Sequence, residues 1–119
     1  MDERFFKSKL RKHLQPHCYI QSMSSLATNG TPDLWISGNH DLWAEIKCSE
    51  SIKGPIKPKL SPLQKLWLDG RYAEGRNVMV ICGTSPKEGI IYRNGEWGTH
   101  SNDRITFDQI IKEILACVA

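Results

Sequence analysis

The sequence predicts an α/β domain in which a mixed sheet is flanked by helices, with elements in the order α-β-β-β-α-β. Three observations predict it. A helical pattern ends at Pro16, a hairpin pattern follows Pro32, and a capped helix begins at Ser61 before the apolar run 77–84. Because 119 residues suffice for one core, residues 1–119 are expected to form a single domain.

The first helix is predicted between the N-terminus and Pro16. At 100° per residue, Glu3, Leu10 and Leu14 fall on nearly one line of the helix surface. Phe6 lies beside that line. Since the line is otherwise apolar, we expect Glu3 to face inward.

The next predicted elements are short strands. Residues 18–23 have strand composition, and the polar residues 24–31 are predicted to form a loop. Residues 34–37 and 42–47 then have the composition of a hairpin, with turn residues at 38–41 between them.

This hairpin carries charges that a buried hairpin would not need. Strand alternation places Glu45 and Lys47 on one face, opposite an apolar face made of Leu42, Ala44 and Ile46. Asp33 joins the charged face only if the strands pair in an even register, through a three-residue loop or a bulge within 37–41. A two-residue turn at 39–40 would put Asp33 on the other face.

In the even register, two carboxylates and an ammonium group lie together. Unpaired buried carboxylates cost several kcal/mol unless a cation joins them. Oxygen ligands favour Mg²⁺, or Mn²⁺ in its place, at about 2.1 Å, and the backbone carbonyl of Ile46 is a further candidate ligand. Such a site suits phosphodiester hydrolysis, in which Lys47 would orient the attacking water and offset developing negative charge.

The second half of the chain begins with residues 50–60, which have no periodicity and are expected to form a mobile basic loop. A helix follows, because Ser61 and Gln64 match a capping box around Pro62. Its predicted apolar face consists of Leu63, Leu66 and Trp67. Because the cap explains Gln64 fully, one amide is not expected to serve both the cap and a site at full strength.

Three further elements complete the prediction. Residues 77–84 form a continuous apolar strand of the kind that is buried on both faces. Asn94-Gly95 is a hairpin signal, and residues 106–119 are predicted to form a helix that a second capping box begins at Thr106.

The hairpin motif resembles a known family. Pro32-Asp33 followed by Glu45-Ile46-Lys47 is similar to the motif of the PD-(D/E)XK nucleases, whose restriction-endonuclease-like core has the same order of elements. More narrowly, residues 29–37, 42–47, 60–70 and 77–82 resemble the VRR-NUC family of small phage and bacterial nucleases. The resemblance covers roughly residues 3–84. Residues 85–119 depart from the short family pattern, so their role stays open.

The resemblance implies a Mg²⁺-dependent DNA endonuclease. Asp33 and Glu45 would be metal ligands and Lys47 a catalytic residue, with Glu3 and Gln64 completing the site. It also suggests selectivity for branched DNA such as a Holliday junction, a homodimer with one site for each of two opposite strands, and a phage origin.

Basic residues near this motif are candidate DNA contacts. The loop after Lys47 carries three of them, Lys53, Lys57 and Lys59. Their alternative interpretation is a solvated surface. Trp35 and Trp43 are expected to pack, or to border the substrate groove on the face shared with Asp33 and Glu45.

A non-catalytic nucleic-acid-binding module with the same fold is the alternative function. A binding module would need no intact set of Asp33, Glu45 and Lys47, so the intact set favours the nuclease. Dependence on a divalent metal would distinguish the two.

Composition limits the remaining classes. With 39% hydrophobic and 24% charged residues and no apolar run near the ~20 residues of a membrane span, no membrane span is expected. The N-terminus lacks the apolar core of a secretory signal, which predicts a cytoplasmic protein. The family resemblance implies that the cell is a bacterium or a phage-infected host. The net charge of +3 is compatible with a polyanionic partner and does not establish one.

Cysteine and histidine spacing indicates no metal module. The cysteines contain no C-x-x-C pair and are expected to be reduced thiols in apolar segments: Cys18, Cys48, Cys82 and Cys117. No spacing with the four histidines resembles a zinc module, so zinc is not expected.

Overall fold

The computed structural model describes residues 1–23, 29–51 and 53–119. The elements are α1 (Glu3–Leu14), β1 (Tyr19–Ser22), β2 (Leu34–Ser37), β3 (Asp41–Cys48), α2 (Pro62–Ala73), β4 (Val78–Ser85), β5 (Glu88–Tyr92), a 3₁₀ helix (Glu96–Gly98), β6 (Ile105–Thr106) and α3 (Phe107–Val118). The predicted order α-β-β-β-α-β is confirmed. Most of the loop predicted at 24–31 lies outside the described residues.

The strands form one six-stranded mixed sheet in the order β1-β2-β3-β4-β5-β6. β3 and β4 pair in parallel, while the other neighbouring pairs are antiparallel. Parallel neighbours need a crossover connection, and α2 lies within it. The crossover places α2 beside the charged face of β3.

The two faces of the sheet are covered by different helices. On one face, α1 and α3 bury apolar side chains against the sheet, including Phe6, Leu10, Leu14, Ile110 and Ile114. On the other face, Leu68 of α2 packs with Val80, Cys82, Tyr92 and Trp97. β4 contributes to both cores, which confirms the prediction of a strand buried on both faces.

The inward orientation predicted for Glu3 is wrong. α1 begins at this residue, with the Asp2 carboxylate accepting the N–H of Phe5 at 2.8 Å, and the Glu3 side chain is exposed. The buried line of the helix is Phe6, Leu10 and Leu14. Because its first turn extends past the apolar core, Glu3 stays in solvent at the rim.

The apolar face predicted for α2 is also wrong. Leu63 and Leu66 are 52% and 69% exposed, and Trp67 is only partly buried. Leu68 is the buried residue of the helix. Because α2 packs on the sheet through the side that carries Leu68, Leu63 and Leu66 remain on the surface.

Asn94-Gly95 does not close a hairpin. Both residues have positive φ, 54° and 79°, as turn residues with this signal do. The chain then enters the 3₁₀ helix, in which Trp97 is buried and donates its Nε1–H to Asp69 Oδ1 at 2.8 Å. Burial of this indole carries the chain away from β5 and onto α2.

The basic loop is anchored rather than free. Ile56 is 6% exposed and forms a β-bridge with Ser101. The phenolic hydroxyl of Tyr92 donates to the Ile56 carbonyl. These contacts hold the middle of the loop on the segment after β5, while Lys53, Lys57 and Lys59 stay exposed.

Two further observations concern the whole described chain. The four cysteines are free thiols, of which Cys82 is buried and three are partly buried. In the described part of the chain, no helix is long and apolar enough to cross a membrane.

Candidate active site

The register of the β2–β3 hairpin brings Asp33 to the charged face. Leu34 pairs with Ala44 and Ser37 pairs with Asp41, so residues 38–40 form a three-residue loop. The even register is therefore confirmed. Continued by one residue, it sets Asp33 across from Glu45.

Asp33 lies just before β2 and binds the neighbouring strand through its side chain. Its Oδ2 accepts the backbone N–H of Ile46 at 2.8 Å, where the backbone pairing of β2 has ended. Its Oδ1 lies 3.8 Å from the Nζ of Lys7 on α1. The carboxylate is thus held between β3 and the first helix.

Glu45 is the only described charged residue that is buried, with 3% of its surface exposed. Its Oε2 accepts a hydrogen bond from Gln64 Nε2 at 3.0 Å and lies 3.4 Å from Lys47 Nζ. One ammonium and one amide therefore meet the same carboxylate oxygen.

Gln64 serves both the helix cap and the site. Its Oε1 accepts the N–H of Ser61 at 2.9 Å, and the Ser61 hydroxyl accepts the N–H of Gln64 at 3.1 Å. The expectation that one amide could not do both is wrong, because the oxygen accepts in the cap while the nitrogen donates to Glu45.

Burial and the neighbouring Asp33 raise the pKa of Glu45 from 4.5 to about 8, and Lys47 offsets only part of that effect. Near neutral pH the carboxyl therefore holds a proton unless more positive charge arrives. Positive charge placed beside this carboxyl would favour its ionised form.

Glu3 and the basic loop lie around a groove of about 500 Å³ that opens beside Lys47. Its lining includes Glu3, Ser49, Lys57 and Lys59. Glu3 thus borders the same groove as Lys47, although in the described part of the chain no group of three or more His, Cys, Asp or Glu side chains is placed to hold a metal ion.

Two positioning contacts were missed by sequence reasoning. Lys7, paired with Asp33, lies one helical turn after Glu3, a spacing that signals the same helix face. Arg104 donates to the carbonyls of Gly54 and Ser51, at 3.0 and 3.5 Å, across about 50 residues of chain. No local pattern signals that second contact.

No protein-family model matches the chain, and no curated protein matches it. Its structure is similar to that of Hjc, a Holliday junction resolvase from the archaeal hyperthermophile Archaeoglobus fulgidus. The match has a TM-score of 0.59 at 10% sequence identity and covers 94% of this chain and 98% of that chain. The chain therefore shares the mixed α/β fold of that resolvase, in which helices flank a mixed sheet.

Proposed function

We propose that this protein is a metal-dependent DNA endonuclease that hydrolyses phosphodiester bonds. The observation that carries the proposal is the convergence of Asp33, Glu45 and Lys47, with Gln64 bound to Glu45 at 3.0 Å, on a resolvase-like fold. On the motif alone, we further propose that the protein belongs to the PD-(D/E)XK nucleases and, within them, to the VRR-NUC type.

The donor set fits Mg²⁺, with Mn²⁺ as a substitute. Asp33, Glu45 and the Ile46 carbonyl supply hard oxygen ligands, and Glu3 at the groove rim is a further candidate. The raised pKa of Glu45 supports the fit, because a divalent cation would compensate the second carboxylate. When bound, the ion would polarise the phosphate and lower the pKa of a bound water.

The chain's own groups supply the remaining functions. The Lys47 ammonium lies 3.4 Å from Glu45 Oε2. It would hold the attacking water and offset charge on the phosphate as the bond to the leaving oxygen breaks. Gln64 keeps the Glu45 carboxylate in place. The reaction consumes one water and yields a phosphate monoester and a free hydroxyl.

DNA is the proposed substrate, and Lys53, Lys57 and Lys59 are proposed phosphate contacts, since all are exposed on the loop after β3. We further propose that branched DNA, such as a four-way junction, is preferred. A homodimer would then present one site to each of two opposite strands. Such an enzyme would act in the cytoplasm of a bacterium or a phage-infected cell.

The test is cleavage of a labelled four-way junction, flap, linear duplex and single strand with Mg²⁺, Mn²⁺ or EDTA. Lys47→Ala should abolish metal-dependent cleavage, because the water loses its ammonium partner. Lys112→Ala, which removes an exposed lysine of α3, is the matched control and should cleave like the wild type.

Wild-type cleavage by Lys47→Ala would contradict the assignment. DNA binding that is indifferent to metal, without cleavage of any substrate, would instead establish a non-catalytic binding module. A mass of one chain in sedimentation equilibrium at the assay concentration would contradict the homodimer.

A further inference from the structure

A second groove, of about 790 Å³, lies beside the candidate active site. Two tryptophans and two arginines line it, together with polar groups from the hairpin loop and the start of β4. We call it the tryptophan groove and define it by Trp43, Trp67, Arg71, Arg76 and Asn77. None of these residues has a place in the proposed chemistry.

The tryptophan groove continues the seam between α2 and β3 that holds Glu45. Gln64 of α2 meets Glu45 of β3, and one helical turn later Trp67 meets Trp43, with ring centroids 5.5 Å apart. Trp43 and Glu45 share one face of the strand, about 6.6 Å apart along it. The groove therefore begins one nucleotide-sized step from the two carboxylates.

The aromatic rings of the groove are fixed in place yet not enclosed. Trp43 stacks on Trp35 with their planes 16° apart, and the Trp43 and Trp67 planes are tilted by 58°. Both groove tryptophans are only partly buried, whereas Trp97 is 1% exposed and hydrogen-bonded to Asp69. Trp97 is enclosed in the core, whereas Trp43 and Trp67 pack against that core and also line the groove.

The charge on the rim favours an anionic, planar ligand. Arg71 lies over the Trp67 ring, 5.4 Å from guanidinium carbon to centroid, and Arg76 is exposed at the end of the groove. Of the nearby carboxylates, Glu74 pairs with Arg71 at 3.1 Å and Asp41 accepts the Ser37 hydroxyl at 2.7 Å. Glu74 offsets the charge of Arg71 and Asp41 stays negatively charged on the groove lining, whereas Arg76 has no ion pair among the described residues and is the cation available to a phosphate.

We propose that the tryptophan groove binds an unpaired nucleobase of the DNA strand whose phosphate lies at Asp33 and Glu45. This inference rests on the proposed nuclease function. A base within a duplex is held by its pairing partner and its stacked neighbours. An unpaired base is free to leave the strand's own stack and to stack on the indole rings instead. The groove would thereby direct the site to phosphates next to unpaired nucleotides, as at flaps and branch points.

The experiment compares two DNA ligands in EDTA, which prevents cleavage. One is a duplex with a single-stranded tail containing 2-aminopurine, and the other is the same duplex with blunt ends. We expect the tailed DNA to bind about tenfold more tightly, and the 2-aminopurine fluorescence to fall as the base stacks on tryptophan.

Trp67→Ala should remove most of that tenfold preference and the quenching. Leu66→Ala is the matched control, because it removes an apolar side chain that is 69% exposed on the same helix outside the groove. Arg76→Gln should weaken binding of the single-stranded tail without unfolding the protein, because Arg76 is exposed. Lys65→Gln, which removes another exposed cation, is its control. Circular dichroism melts verify that each variant is folded.

Equal binding of tailed and blunt DNA, or full tail preference in folded Trp67→Ala and Arg76→Gln, would overturn the inference. A dimer that dissociates in Trp67→Ala would also overturn it, since a second copy would then occupy the groove. Stacking of the tail without cleavage in Mg²⁺ would refute the nuclease function and support base binding in the tryptophan groove. Cleavage without tail preference would refute only the groove.

Discussion

Gln64 makes both a local contact, in the cap of α2, and a long-range contact, with Glu45 on β3. Its amide oxygen closes the cap of α2, and its amide nitrogen reaches Glu45 on β3. The two hydrogen bonds orient the side chain from both ends. The first turn of α2 is thereby hydrogen-bonded to the candidate active site.

Ser61→Ala and Gln64→Ala separate these two roles. Both variants lose the capping box, so we expect each to lower the free energy of unfolding by about 1 kcal/mol. Gln64→Ala alone also frees Glu45, and its cleavage rate should fall at least about tenfold. Urea unfolding and cleavage kinetics measure the two effects. A comparable loss of cleavage in Ser61→Ala would contradict the separation.

We expect Glu45 to make the stability of the metal-free protein depend on pH. Its pKa is raised from 4.5 to about 8, so the folded chain keeps a proton that the unfolded chain releases in this range. The free energy of unfolding should therefore fall as the pH rises from 4.5 to about 8. Glu45→Gln should remove this fall, whereas Glu96→Gln, at an exposed position, should retain it.

Metal binding should show the opposite dependence, since the ligand is the deprotonated carboxylate. We expect the rise in Tm on adding Mg²⁺ or Mn²⁺ to be larger at about pH 8.5 than at about pH 6.5, and to vanish in Asp33→Asn. Differential scanning calorimetry of both proteins measures it. A metal effect independent of pH would place the ion elsewhere.

At the scale of elements, the segment after β5 supports the basic loop. Arg104, with its side chain 14% exposed, donates to two loop carbonyls, and Ile56 bridges Ser101. The C-terminal part of the chain thus has a structural role that the sequence left open. It holds the loop beside the groove at Lys47.

Arg104→Ala should loosen this loop. We expect trypsin to cleave severalfold faster after Lys53 and Lys59, because lost hydrogen bonds lower the cost of local opening. Mass spectrometry of timed digests locates the cuts. Arg93→Ala, which breaks an ion pair with Glu113 instead, is the control and should leave the loop as resistant as before.

At the scale of the whole molecule, a net charge of +3 makes the placement of charge more important than its sum. Exposed lysines occur on the basic loop and also on α2, the β4–β5 turn and α3. Of these exposed lysines, Lys57 and Lys59 of the basic loop line the groove that contains Lys47, and Lys53 lies on the same loop. The effect of removing a lysine on DNA affinity should therefore depend on where that lysine lies.

Replacing Lys53, Lys57 and Lys59 by Ala should reduce the slope of log affinity against log salt concentration by about one for each lysine. The cause is that fewer counterions are released from the DNA. Fluorescence anisotropy at several salt concentrations measures the slope. An equal reduction from the triple replacement of Lys65, Lys87 and Lys112 would show that the contact is not localised.

Features that depend on neighbouring residues could be predicted from the sequence. The capping boxes at Ser61 and Thr106, the alternation along 42–47 and the apolar run of β4 follow from hydrogen bonds and periodicities within a few residues. These local rules also predicted the order of elements, because each helix and strand carries its own start and pattern.

Features that depend on packing were decided only by the tertiary structure. Alternation left two registers open for Asp33, and the three-residue loop 38–40 selected the even one. The exposure of Glu3 and of Leu66, and the reach of Gln64 to Glu45, depend on how each helix crosses the sheet. The sequence thus determined which groups are available, and packing between distant segments decided which of them meet, because those contacts join residues too far apart for any local periodicity to relate.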